Sequence, residues 1–391
     1  MKEAEIDYWI STMLETYENV SDLNLTVGRP PQVETSGRLT PVPLTPPVEE
    51  LTPFQTEVFA LNLIRGRKRP LNDLIEHGSC DLSYSLEDKA RFRVNIFSQK
   101  GNLTTVLRLL ATAIPTIDQL NLPPIFNKMT IERTGFILVT GATGSGKSTS
   151  LAALLDKFNN ERPEHIVTLE DPIEFVHPHK QATFNQRELG NDFDEFSSGL
   201  RAALRQAPKI ILVGEMRDRT TMEIGMSAAE TGHLVLSRLH TVDAGQTINR
   251  ILGMFEQEEQ PQIRNRLVDT IRWVVCQRLL PKVGGGRVAA MEIMGMNLRI
   301  RELILNGENE DKTFYDIIAD SRGLGWQTFD QHILDLYEQQ LITEDTAVAY
   351  CTRRTTINQG LDRIKAAKGE ETTDIKGLSM EGEDPSKLLY R

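Results

Sequence analysis

Gly141, Ala142, Thr143, Gly144, Ser145, Gly146, Lys147, Ser148 and Thr149 fit the pattern G-x-x-x-x-G-K-[ST] and carry the clearest chemistry in the chain. Glycines let backbone N–H groups turn inward on phosphate oxygens with no Cβ in the way. The helix opened by such a loop adds the favourable end of its dipole. Lys147 brings positive charge for the β- and γ-phosphates, and Ser148 an oxygen ligand for Mg2+. The apolar stretch 136–140 before the loop reads as a strand, and the Ala- and Leu-rich stretch after it as a helix. A chance glycine cap would not need both flanks, so these residues predict binding of a nucleoside triphosphate.

Hydrolysis of that ligand needs a carboxylate to position or deprotonate water, and usually another near the metal. Two predicted strands end in acids. Residues 165–169 run into Glu170, Asp171, Pro172, Ile173 and Glu174, and residues 209–213 run into Gly214 and Glu215. In a parallel sheet these ends gather beside the phosphate loop. One acid after a strand is ordinarily a solvated loop residue; two flanking a phosphate loop favour a site. Arg91 and Arg93 alternate with Phe92, Val94 and Ile96, so both leave one strand on its polar face. Arg108 lies in the apolar stretch 106–110. The plain reading of these three is a solvated face, and the functional one is an arginine finger reaching phosphate charge. Arg201, Arg205 and Arg217 are further finger candidates. His233 and His240 bracket the predicted strand 234–236, and His240 with Thr241 at its far end is a candidate γ-phosphate sensor. His177, Pro178 and His179 have no acid or Cys partner at ligand spacing and read as a loop.

The rest of the chain must position these groups. Its 391 residues predict two or three domains, and a net charge of −11 argues against a protein that wraps nucleic acid. Cys80, Cys276 and Cys351 lie too far apart for a zinc ribbon and fit a reducing compartment. No signal peptide is visible, and no apolar stretch approaches the roughly 20 residues of a membrane span, so a cytoplasmic protein is expected. Residues 3–19 read as an amphipathic helix, with alternating strands near 23–27, 82–86 and 92–96, giving an N-terminal α+β domain over 1–112. A proline-containing linker spans 113–124. Over 125–368 strands alternate with helices, which implies an α/β domain on a mainly parallel sheet. After residue 243 the pattern turns largely helical, apart from a strand at 287–293. Residues 369–391 form an acidic tail expected to be flexible.

These pieces occur in a recognisable order: Ser21, Asp22 and Leu23, then Ala90 through Asn95, the phosphate loop, and an acidic box at 169–174. Asn185, Gln186, Arg187 and Glu188 follow, then an atypical Walker B segment at 211–218. Ala229 through His233 leads to His240 and Thr241, and Gln327, Thr328, Phe329 and Asp330 complete the set. In order and spacing the chain resembles the secretion-type ATPases, specifically the PilT/PilU retraction ATPases of type IV pili. That resemblance implies a RecA-like P-loop ATPase domain behind a smaller PAS-like N-terminal domain, six chains in a ring, and ATP with Mg2+ between the two domains. It makes Lys147 and Ser148 the phosphate and Mg2+ residues, Glu215 the Walker B acid (reaching the metal directly or through water), and Glu170 the acid of the box. Either acid would serve as base. His240 would sense phosphate, and Arg91, Arg93 and Arg108 would approach from the N-terminal domain. The implied partners are an inner-membrane pilus platform protein and a second retraction ATPase ring, with the motor at the cytoplasmic base of the pilus machine.

The sequence departs from its relatives at Ser237, Arg238 and Leu239, where a smaller, Thr-containing stretch is usual, and the retraction signature survives loosely at 298–304. The stretch 204–208, the pair His177 and His179 and the acidic tail lean toward PilU. A pilus extension or type II secretion assembly ATPase is the rival reading, but its usual four-cysteine zinc insertion and longer N-terminal region are missing. A RecA-like nucleic-acid motor finds poor support in the acidic composition. A ring subunit with little independent hydrolysis is the third alternative.

Overall fold

The computed structural model describes residues 3–86, 89–110, 113–310 and 312–369. Its first unit comprises α1 (Glu3–Glu15), β1 (Val20–Leu25), β2 (Gln32–Thr35), β3 (Arg38–Pro41), α2 (Pro53–Ile64), α3 (Lys68–His77), β4 (Ser79–Leu86), β5 (Ala90–Gln99) and β6 (Asn102–Leu110). The six strands pair antiparallel in the order β3-β2-β1-β6-β5-β4. Alternation decides which face is covered. Phe92, Val94 and Ile96 of β5 are buried with Ile6, Ile10 and Met13 of α1 and Phe59, Ala60 and Leu63 of α2, while Arg91, Arg93 and Asn95 take the other face. A capping box between Thr52 and Gln55 fixes the start of α2.

The second unit begins at α4 (Ile125–Met129) and continues β7 (Gly135–Thr140), α5 (Lys147–Glu161), β8 (His165–Glu170), β9 (Thr183–Glu188), α6 (Phe196–Ala203), β10 (Ile210–Val213), α7 (Arg219–Glu230) and β11 (Leu234–Leu239). Then come α8 (Ala244–Leu252), α9 (Gln260–Thr270), β12 (Ile271–Pro281), β13 (Arg287–Gly295), α10 (Leu298–Asn306), α11 (Phe314–Asp320), α12 (Phe329–Glu338), α13 (Glu344–Tyr350) and α14 (Arg354–Lys368). Seven strands lie in the order β13-β12-β7-β11-β10-β8-β9, with only the β12–β13 pair antiparallel. Successive residues of the central strands enter opposite cores. Phe136 and Leu138 of β7 pack with Val235, Ile211 and Val213 on one face. Ile137 and Val139 pack with Leu234, Leu236 and Leu212 on the other. Helices cover both faces, so β10 (Ile210–Val213) is apolar and buried at every position.

Strand β12 corrects the expectation of helix beyond residue 243. Ile271, Val274, Val275, Cys276 and Leu280 are all buried because β12 lies between β7 and β13. A strand covered on both faces carries no period-2 signal, and its apolar spacing imitates a helix. Strand β9 was not predicted either. It is a polar edge strand, pairing only with β8. Residues 111 and 112, at the expected end of the N-terminal domain, and the acidic stretch 370–391 lie outside the described residues. Among the described residues no helix is long and apolar enough to cross a membrane.

Candidate nucleotide and hydrolysis site

Buried β7 delivers the chain to residues 141–146, and α5 starts at Lys147. Gly141 is required by close approach to backbone, and Gly146 by its left-handed φ of 85°. A Cβ on Gly141 would stand 2.4 Å from the carbonyl oxygen of Gln277, and one on Gly146 would stand 2.8 Å from its Nε2. Gln277 projects from β12, and its Oε1 accepts a 2.8 Å hydrogen bond from Ser150 Oγ. It therefore braces the loop and the first turn of α5. Gln277 leaves no signal in the sequence, because the apolar spacing of its strand imitates a helix.

Lys147 Nζ folds into the loop and donates to the carbonyls of Gly141 at 2.7 Å and Ala142 at 2.8 Å. Burial, and next the nearby Arg238 charge, lower its pKa. The buried Ser145 Oγ has no partner in the loop, while Ala142, Thr143 and Gly144 are exposed, leaving donors for an anion. Ser148 Oγ donates to Glu174 Oε1 at 2.8 Å. A hydroxyl and carboxylates are hard oxygen donors of the kind Mg2+ takes, so the residues present fit that ion. A cavity of about 710 Å3 adjoins the loop at Gly146 and Thr149 and is lined also by Asn121, Gln277, Lys282 and Arg287.

The two acids lie at the ends of neighbouring strands β8 and β10, on one side of the loop-bearing β7, in contrasting settings. Glu170 is buried at the end of β8 and accepts from Thr168 Oγ1 at 2.6 Å and Gln186 Nε2 at 3.0 Å. Burial raises its pKa against those two hydrogen bonds. Glu215, just past β10, pairs with Arg217 at 2.6 Å and with His240 Nε2 at 3.3 Å. Burial pushes its carboxyl up, but the Arg217 hydrogen bond and the charges of Arg217, His240 and Arg238 bring it below the ordinary value. His240, just past the end of β11, thus stands beside Glu215. His233, by contrast, hydrogen-bonds the Ala228 carbonyl at 3.0 Å, a structural role at the end of α7.

Within this chain the three N-terminal arginines bind acids rather than the loop. Arg91 Nη2 reaches across to Glu188 of β9 at 2.7 Å. Arg93 and Arg108 face each other in register on β5 and β6. Each is offset by an acid, Asp81 at 3.7 Å and Asp22 at 2.8 Å. The cross-strand repulsion of two arginines is thereby relieved. Arg93 also lines a cavity of about 320 Å3 between the two units, with Arg69, Asp171 and Glu188. Arg201 and Arg205 are exposed.

A phosphate loop on a parallel sheet, with two acids at neighbouring strand ends, defines a P-loop nucleoside triphosphatase. The model of the type II/IV secretion system protein family matches residues 76–286. PilT of Pseudomonas aeruginosa, a type IV pilus retraction ATPase, is 41% identical over 332 residues, covering 84% of this chain and 94% of that one. The type IV pilus ATPase PilU of the same organism is 36% identical over 375 residues, covering 95% and 96%. A crystal structure of the pilus retraction motor PilT with bound ADP superposes with a TM-score of 0.81 at 39% identity, covering 90% of this chain and 99% of that one. The chain belongs to the type II/IV secretion system protein family as a PilT/PilU-type, P-loop ATPase with an N-terminal domain and a RecA-like core.

Proposed function

We propose that this chain is an ATP-hydrolysing motor of type IV pilus retraction, working in twitching motility as a homo-hexamer. The observation that carries the reading is likeness to PilT along 94% of that protein, at 41% identity. In this reading ATP lies along the phosphate loop, with its phosphates on the backbone of 141–146 and on Lys147, and its base and ribose toward the cavity at Thr149. The chemistry a bound Mg2+ supplies, held by Ser148 with Glu215 directly or through water, is neutralisation of phosphate charge. Glu215, ionised and beside His240, orients the attacking water. Glu170 holds the end of β8 through Thr168 and Gln186, and His240 reports phosphate to α8 through Thr241. Residues 1–112 and 125–368 act as two units joined by 113–124, so loss of phosphate alters how they pack. Arg91, Arg93 and Arg108 reach nucleotide only when that packing changes or across a neighbouring subunit. The motor acts at the cytoplasmic base of the pilus on an inner-membrane platform protein, beside a second retraction ATPase ring.

The test is Lys147→Ala in the purified protein and in the host. ATP turnover and pilus retraction are expected to be lost together while the circular dichroism spectrum is unchanged. Retraction at the normal rate by this variant, in a strain lacking any second retraction ATPase, would sink the reading.

A further inference from the structure

Arg238 lies on β11, a strand away from the phosphate loop, yet its guanidinium ends at Ser148. Nη1 donates to Ser148 Oγ and also lies 3.1 Å from Glu174 Oε1. Nε donates to the Gly214 carbonyl at 2.7 Å. The side chain is largely buried, so this is a built position and not a surface contact. The hydroxyl of Ser148 is engaged on both sides: its hydrogen goes to Glu174 and one of its two lone pairs accepts from Arg238. That oxygen is the one through which a P-loop site meets its divalent cation. A guanidinium stays protonated at any working pH, and two cations cannot share one hydroxyl oxygen without strong repulsion.

We propose that Arg238 competes with the metal for Ser148 in the phosphate site, so that the metal-nucleotide complex binds only by displacing the guanidinium from Ser148. The inference rests on the phosphate-loop reading above. Arg238 is then a positioning residue that sets how much Mg2+ nucleotide binding requires. It holds Ser148 and Glu174 in place while the metal is absent, and its anchor on Gly214, the residue before Glu215, couples release of the guanidinium to the Walker B turn. Lys147 sits in the same field, where the Arg238 charge opposes its own.

The experiment is equilibrium binding of a fluorescent ADP analogue to the full chain, titrated with Mg2+ from EDTA upward, for wild type, Arg238→Gln and Arg238→Lys. Arg238→Gln is expected to lower the half-saturating Mg2+ at least about fivefold. Arg238→Lys keeps the charge and is expected to stay within about twofold of wild type. Melting curves in EDTA separate a folded variant from an unfolded one, and the lysine variant carries the comparison if the glutamine variant melts early: a fivefold fall with lysine as well would overturn the charge argument. An unchanged or raised Mg2+ requirement in a folded Arg238→Gln overturns the proposal while leaving the phosphate loop standing. Absence of nucleotide binding by wild type at every Mg2+ concentration overturns the loop reading and this inference with it.

Discussion

Two carboxylates at neighbouring strand ends of one sheet differ in what surrounds them. Glu170 is enclosed, and burial raises its pKa although Thr168 and Gln186 both donate to it. Glu215 faces Arg217 and His240, which hold it on the ionised side despite its own burial. An acid that orients water must be ionised, and the proposed role of Glu215 agrees with its lowered pKa. Glu215→Gln keeps the shape and removes the charge. It should bind the fluorescent nucleotide with wild-type affinity and lose turnover by about a hundredfold or more. Turnover within a few-fold of wild type would transfer the role to Glu170.

At the scale of elements, the edge strand β9 joins the two units through one side chain. Glu188 Oε1 accepts from Ser83 Oγ at 2.6 Å, and its Oε2 accepts from Arg91 at 2.7 Å and from the Ile173 N–H at 3.2 Å. The arginine is thus one donor among several to a buried acid. Removing one partner of a buried pair costs several kcal/mol when the other is left bare; with donors remaining, Arg91→Ala should cost about 1–3 kcal/mol. Arg93, half-exposed and opposed by Arg108, should cost less than about 0.5 kcal/mol on the same change. Chemical denaturation of the two single variants checks this, and equal losses would refute the division. Legibility in the sequence followed the same physics. The loop at 141–149 and the acids at 170 and 215 were readable because strand, turn and helix each leave a local signal. The pattern at 91–96 correctly gave two arginines on one polar face, since alternation survives wherever one face is solvated. What failed was non-local. Strand β12 has two covered faces and no alternation, so Gln277 behind the loop went unseen. The Glu188 contacts join residues about a hundred apart, and no window of sequence holds both.

For the molecule as a whole, three buried titratable groups shape stability against pH, with opposite signs. Burial raises Glu292, on β13, from 4.5 to about 7, although the Ala244 N–H donates to it. Between those values the folded chain keeps a proton that the unfolded chain has lost. Stability therefore falls as pH rises through that window, by at most about 3 kcal/mol. Burial lowers His177 and His332 from 6.5 to about 4. Over that range the unfolded chain holds the extra proton, so each histidine makes stability rise with pH by a similar amount. Two histidines outweigh one glutamate between pH 4.5 and 6.5, and only the glutamate acts from there to just above 7. Glu292→Gln keeps an acceptor for Ala244 and removes the titration. The variant's stability relative to wild type should be flat below pH 4.5, grow through the window, and level off by pH 8 at no more than about 3 kcal/mol in the variant's favour. Urea unfolding at pH 4.5, 6 and 8 measures this difference directly. An offset that is the same at all three values would mean that amide packing, not ionisation of Glu292, governs the substitution.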